Sequence, residues 1–131
     1  MKHTTTIYLV GNPLINKDAM PFKIKPYLEK LLPEINFEEF DPTENFPEEK
    51  EPVFIDTAIN LEKPRSFSSV SKFQAGAHKN LSVHGFDFFT ELALQKKIGT
   101  YTDYTIICVP PKGDPNTIAK SVIPLIKQHS H

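Results

Sequence analysis

Three side chains of this 131-residue chain have the types and positions that metal chemistry requires: Asp18, Asp56 and His84. Two carboxylates and a neutral imidazole form an oxygen and nitrogen ligand set that suits a borderline divalent ion such as nickel or zinc. Three protein ligands leave coordination positions open, so a metal held there could polarise a carbonyl group or activate water. We therefore predict a metal-dependent site at which these three residues converge.

Each of the three residues also has a purely structural interpretation. Asp18 could cap the first helix, and His84 could be an ordinary residue at a helix start. Asp56 is the stronger functional candidate, because it interrupts the apolar segment 53–59. A carboxylate buried in such a segment costs free energy unless it is paired or binds something.

The hydrophobic pattern predicts the elements that must position these residues. Strands are predicted over residues 4–10, 35–40, 53–59, 66–70 and 104–109, and helices over about 18–32, over 84–97 and from Pro115 onward. Strands that alternate with helices indicate an α/β fold, a three-layer sandwich whose mostly parallel twisted sheet of about five strands carries helices on both faces. Ligands of such sheets bind beyond the carboxyl ends of the strands, an edge that all three candidate ligands can reach.

Finer features of the helices also follow from the pattern. We expect Pro26 and Pro124 to interrupt or bend the helices that contain them, and Asp114 to cap the last helix. The predicted apolar faces comprise Phe22, Ile24, Tyr27, Leu28 and Leu31 on the first helix, and Phe86, Phe89, Leu92 and Ala93 on the second.

Composition sets broader limits on function. Lys and Arg number 15 and Asp and Glu 16, so a net charge of −1 gives no general reason to bind nucleic acid or an anionic membrane. The single cysteine, Cys108, excludes an internal disulfide, and its apolar neighbours predict a buried thiol rather than a reactive one. Because no membrane span or signal peptide is recognisable, we expect the protein to be cytoplasmic. We also expect a monomer with one domain over residues 1–131.

The order of these residues resembles that of the hydrogenase maturation endopeptidases, small α/β proteases that trim the C-terminal extension from the large subunit of nickel-iron hydrogenases. Gly11-Asn12-Pro13-Leu14 ends a strand, and the Asp18 that follows falls at the acidic position of the family's first motif. Phe54-Ile55-Asp56-Thr57-Ala58 resembles the second ligand motif, and Ser82-Val83-His84 resembles the third. Gly85-Phe86-Asp87 and Pro110-Pro111 are further similarities, so the resemblance covers nearly the whole chain.

This resemblance implies an endopeptidase whose partner is the precursor of a nickel-iron hydrogenase large subunit. Asp18, Asp56 and His84 would recognise nickel already inserted into the precursor, so the metal would be supplied by the substrate rather than held by the free enzyme. Either aspartate could serve as general base. Asn12 and Asp41 would contact the substrate.

The chain departs from the family pattern at three places. Lys17 stands where the family often has an acid, Pro21 where it often has glycine, and Asp41-Pro42-Thr43 replaces a glycine-containing motif. The altered Asp41 loop motivates a second hypothesis, a non-catalytic chaperone that binds the metal-loaded precursor. A third hypothesis is a small metal-dependent hydrolase on the same fold with a non-protein substrate.

Overall fold

The computed structural model describes residues 5–12, 14–15, 19–41, 46–58, 61–68 and 85–128, with backbone alone at 85–87 and 89. The strands are β1 (Thr5–Val10), β2 (Ile35–Phe40), β3 (Val53–Thr57), β4 (Arg65–Ser68) and β5 (Thr105–Val109). The helices are α1 (Met20–Leu31), α2 (Gly85–Lys97) and α3 (Pro115–Gln128). The predicted α/β fold is confirmed.

The sheet has the strand order β2-β1-β3-β5-β4. All neighbouring strands are parallel except β4, which runs antiparallel to β5 at one edge of the sheet. From β1 the chain passes to β2 on one side, and β3 then pairs with the other side of β1. The carboxyl ends of β1 and β3 therefore flank a topological switch point, which is where open α/β sheets bind ligands.

Helices α1 and α3 cover one face of the sheet. Ile24 and Leu28 of α1 are completely buried together with Val122 of α3. Tyr27 and Leu31, which we expected on the buried face of α1, are 39% and 45% exposed. That expectation is wrong because the row formed by Ile24 and Leu28, four residues apart, faces the sheet and turns the neighbouring row toward solvent.

Helix α2 covers the opposite face through an aromatic cluster. The rings of Phe54 and Phe88 meet edge to face with centroids 4.9 Å apart, and Phe88 also contacts Phe40. Phe88 and Leu92 are completely buried, so the second is confirmed as a core residue whereas the first was missed. Ala93 is exposed, contrary to the predicted stripe, because the row of Phe88 and Leu92 occupies the face toward the sheet.

Both internal prolines lie within continuous helices. We expected Pro26 and Pro124 to interrupt or bend them; α1 and α3 each run through their proline, so neither proline ends its helix, and a bend at either stays a prediction. Both prolines are exposed. A backbone carbonyl that loses its hydrogen bond to a proline on the outer side of a helix can be hydrated by water, while buried neighbours hold the helix on the sheet.

The start of α3 follows the predicted capping pattern. Asp114 precedes Pro115, and its Oδ2 accepts hydrogen bonds of 2.9 Å from both the backbone N–H and the hydroxyl of Thr117. These hydrogen bonds, the backbone one first, lower the pKa of Asp114. Across the part of the chain that the structure describes, no helix combines the length and the apolar character needed to cross a membrane.

Candidate functional site

Three of the predicted site residues lie at the carboxyl edge of the three adjacent strands β2, β1 and β3. Asp41 directly follows β2, Asn12 follows β1 by two residues, and Asp56 is the penultimate residue of β3. The register pairs Val10 with Phe40 and Leu9 with Ile55, which brings the ends of the three strands level. Asp41 and Asp56 therefore flank the end of β1, about 10 Å apart at a spacing of roughly 4.8 Å per strand.

Asp56 is a completely buried carboxyl group in the central part of the sheet. Its Oδ1 accepts a hydrogen bond of 2.8 Å from the backbone N–H of Thr57. The predicted burial of this strand is confirmed, since every residue of β3 is buried. Its position beside the switch point, where open α/β sheets bind ligands, favours a functional role.

Asp56 belongs to a row of polar side chains that crosses the sheet. Asp56 of β3 pairs with Cys108 of β5, and Cys108 pairs in turn with Arg65 of β4. Burial raises the pKa of the Cys108 thiol well above its ordinary value; the negative charge of Asp56 adds to this rise and the positive charge of Arg65 opposes it. Cys108 is thus buried as predicted, and its thiol is unsuited to act as a nucleophile at neutral pH.

Asn12 shapes the turn that leaves β1. Gly11 has a φ of 137°, a conformation that residues with a Cβ rarely adopt, so glycine is required there. The side-chain Oδ1 of Asn12 accepts a hydrogen bond of 2.9 Å from the Leu14 N–H, and its backbone carbonyl accepts one from Ile15. This arrangement is an Asx turn. The structure thus gives Asn12 a local structural role, and its contact with substrate stays a prediction.

The other two predicted ligands, Asp18 and His84, lie outside the described residues. Their chain neighbours Ala19 and Gly85 stand at the beginnings of α1 and α2. Ala19 is the N-cap residue of α1, and the interpretation of Asp18 as a cap concerns a residue outside the described part of the chain.

Both helices begin at the carboxyl edge of the sheet. Helix α1 is the next element after β1. In α2, Phe88 of the first turn contacts Phe40, the last residue of β2. After α2, the Thr102 N–H donates a hydrogen bond to the carbonyl of Lys50, just before β3 begins, so α2 runs toward the amino edge of the sheet.

The convergence of Asp18, Asp56 and His84 stays a prediction. Among the described residues, no three His, Cys, Asp or Glu side chains are grouped to hold a metal ion.

Two tyrosines hold the loop before β3 against the sheet, a feature that the sequence did not reveal. The Tyr8 hydroxyl donates to the carboxylate of Glu49, with 2.7 Å to each oxygen, and the Tyr101 hydroxyl donates to the Pro47 carbonyl at 2.8 Å. Burial, followed by the contact with Glu49, raises the pKa of Tyr8, and burial raises the pKa of Tyr101 to about 12. Both hydroxyls therefore remain protonated donors at neutral pH.

A shallow groove lies beside this loop. Its volume is about 770 Å³, and it is lined by Phe46, Pro47, Glu48, Glu49, Lys50, Gln95 and Thr100. Gln95 of α2 and Thr100, which follows the helix, lie at the end of α2 nearer the amino edge of the sheet. The groove is therefore distinct from the region around Asp56.

The sheet order and the two helical layers define an α/β fold that the chain shares with solved hydrogenase maturation endopeptidases. The chain is similar to the hydrogenase maturating endopeptidase HybD from E. coli, with a TM-score of 0.60 and 18% sequence identity over 96% of this chain and 90% of that one. It is also similar to a hydrogenase 2 maturation peptidase from Thaumarchaeota archaeon SCGC_AB-539-E09, with a TM-score of 0.52 and 14% identity over 96% of this chain and 97% of that one.

An uncharacterized protein from Wolinella succinogenes has the same fold, with a TM-score of 0.57 and 12% identity over 97% of this chain and 96% of that one. No protein-family model and no curated protein matches the sequence. At identities this low, the structural similarity establishes the fold, and the expected resemblance is confirmed at that level.

Proposed function

We propose that this protein is an endopeptidase that removes the C-terminal extension of a nickel-iron hydrogenase large-subunit precursor after nickel insertion. The observation that carries the proposal is the completely buried Asp56 beside the β1–β3 switch point, in a fold shared with named hydrogenase maturation peptidases. The protein would act in the cytoplasm as a monomer.

In this proposal Asp18, Asp56 and His84 recognise the nickel carried by the precursor. Nickel is then part of the substrate, and a precursor without it would not be positioned for cleavage. Two carboxylates and an imidazole suit this ion, because oxygen and nitrogen donors bind borderline divalent metals well. Recognition of the cargo metal would thus make cleavage a checkpoint on metal insertion.

Peptide cleavage itself requires a water molecule to attack the scissile carbonyl. A general base removes one proton from the water, and the departing amine gains a proton as the C–N bond breaks. Asp18 or Asp56 could be this base. Asp56 lies at the carboxyl edge of the sheet beside the switch point, where a substrate of an open α/β fold would bind.

Intact-mass analysis of a cognate precursor tests the proposal. Nickel-loaded and nickel-free samples of the same precursor are incubated with the protein, and we expect loss of a C-terminal fragment in the loaded sample alone. Asp18→Asn and His84→Ala should each abolish this loss while the variant remains folded. Equal cleavage of both samples would contradict nickel recognition.

The second candidate is a chaperone that binds the loaded precursor without cutting it. The observation in its favour is the position of Asp41, which directly follows β2 at the carboxyl edge and leads into Pro42-Thr43, where the family has a glycine-containing motif. Stable binding of the nickel-loaded precursor with no change in its mass would support this function over proteolysis.

A further inference from the structure

Arg65 is the only arginine in the chain, and it stands at the carboxyl edge of the sheet. It is the first residue of β4, and because β4 is antiparallel to its neighbour, its beginning lies at the edge where β3 and β5 end. Arg65 pairs with Cys108, which pairs with Asp56. Arg65 and Asp56 are thus in one row on the same face of the sheet, two strands apart.

The guanidinium group of Arg65 is both exposed and oriented. It lies over the ring of Phe67, with 5.4 Å between Cζ and the ring centroid. Stacking on an aromatic ring limits the conformations of a long side chain, so less conformational entropy is lost when it binds a partner. Within the described residues Arg65 makes no ion pair, although acidic residues outnumber basic ones in the chain.

We propose that Arg65 is a substrate-binding residue that pairs with a carboxylate of the precursor's C-terminal extension. This inference rests on the proposed function and adds a determinant of specificity to it. A planar guanidinium binds a carboxylate through two parallel hydrogen bonds, which fixes orientation as well as position. Such a contact would hold the extension across the end of β5, between Arg65 and Asp56.

The geometry also fixes where the carboxylate lies in the peptide. Two strand spacings separate Arg65 from Asp56 by about 10 Å, the length of roughly three residues of extended chain. The bound carboxylate should therefore lie about three residues from the peptide group held near Asp56. It could belong to an Asp or Glu side chain or to the terminus of the extension.

Steady-state cleavage of the nickel-loaded precursor by Arg65→Gln tests the proposal. Loss of a charge-assisted hydrogen bond should raise KM about tenfold or more and leave kcat within about twofold. Arg65→Lys, which keeps the charge and loses the planar group, should give an intermediate KM. Lys63→Gln is the matched control, because Lys63 is an exposed cation two residues away and its loss should leave KM unchanged.

Changes in the precursor identify the source of the carboxylate. One precursor carries Asn or Gln in place of the acidic residues of its extension, and another carries a C-terminal amide. The wild-type protein should have a KM for the precursor that lacks the bound carboxylate as high as the KM of Arg65→Gln for the unmodified precursor. Combining that precursor with Arg65→Gln should not raise KM further. Additive effects, or an unchanged KM in Arg65→Gln, would overturn the proposal.

Two further results separate this proposal from the proposed function. If the wild-type protein cleaves no precursor, the protease function fails, and Arg65 is tested through the dissociation constant of the same nickel-loaded precursor. Weaker binding by Arg65→Gln but not by Lys63→Gln would support the contact, and equal or undetectable binding by all three would overturn it. Should Arg65→Gln not fold, the neutralised precursors with the wild-type protein decide the question.

Discussion

Asp56 on β3 and Cys108 on β5 occupy paired positions in neighbouring parallel strands, and both side chains are completely buried. The carboxylate contributes to keeping the thiol protonated, since its charge adds to the effect of burial on the pKa of Cys108. One member of the pair is thus a candidate for chemistry and the other is an inert packing residue. Each role leads to a separate prediction.

Asp56→Asn should abolish precursor processing while preserving the fold. The asparagine Oδ1 can still accept the hydrogen bond from the Thr57 N–H, so the variant removes the charge and keeps the local contact. We expect the cleavage rate to fall at least about a hundredfold, as for loss of a general base. Intact mass measures processing, and near-UV circular dichroism measures folding.

Asp103→Asn is the matched control for this variant. Asp103 accepts an equivalent hydrogen bond of 2.7 Å from the next residue, Tyr104, but lies before β5 at the amino edge of the sheet. Its processing rate should stay within about twofold of wild type. A folded Asp56→Asn protein that processes the precursor at the wild-type rate would refute the role of Asp56.

Cys108 should resist alkylation in the native protein and destabilise it at alkaline pH. Burial holds the thiol in its neutral form, whereas the unfolded chain ionises it near pH 8.5. Because the folded-state pKa is the higher one, stability is fully present below pH 8.5 and is lost as the pH rises above it. Urea unfolding between pH 8 and 9.5 should show a steeper loss for wild type than for Cys108→Ala. Parallel pH profiles, or rapid alkylation under native conditions, would contradict this prediction.

Phe88→Ala should be among the most destabilising single changes in the described part of the chain. Phe88 is completely buried and packs edge to face on Phe54. Removal of a buried phenyl ring typically lowers the free energy of unfolding by about 3–5 kcal/mol. Leu94→Ala, on the same helix at a side chain that is 47% exposed, should cost less than about 0.5 kcal/mol. Urea titration measures both values, and similar costs for the two variants would show that α2 does not pack as described.

Asp114→Ala should destabilise the protein at neutral pH but not at pH 3. The hydrogen bonds from Thr117 lower the pKa of Asp114 in the folded state, so their contribution is present above the unfolded pKa of about 3.9 and is lost as the pH falls below it. The difference in urea midpoint between wild type and variant should therefore shrink on acidification. A difference that is the same at pH 7 and pH 3 would show that the ionised cap is not the cause.

Local patterns predicted the elements well but not which side of each helix is buried. The β-branched segment of β1 and the apolar run of β5 are strands as expected, with small differences at their ends. By contrast, Tyr27 of α1 is apolar and yet exposed, and Phe88 of α2 is a core residue that we missed. The exposed row of Tyr27 and Leu31 lies beside the buried row of Ile24 and Leu28 on α1, so the choice of face depends on where the helix meets the sheet.

The sequence by itself predicted the α/β class, the capping of α3 by Asp114 and the burial of Asp56, because each leaves a pattern among residues close together in the chain. Only the tertiary structure decided the strand order, the antiparallel direction of β4 and the row formed by Asp56, Cys108 and Arg65. Strand pairing joins segments that are distant in the chain through backbone hydrogen bonds, which are common to all residue types. Side-chain patterns therefore specify that strands form, and long-range packing selects the partners that place Arg65 beside the candidate site.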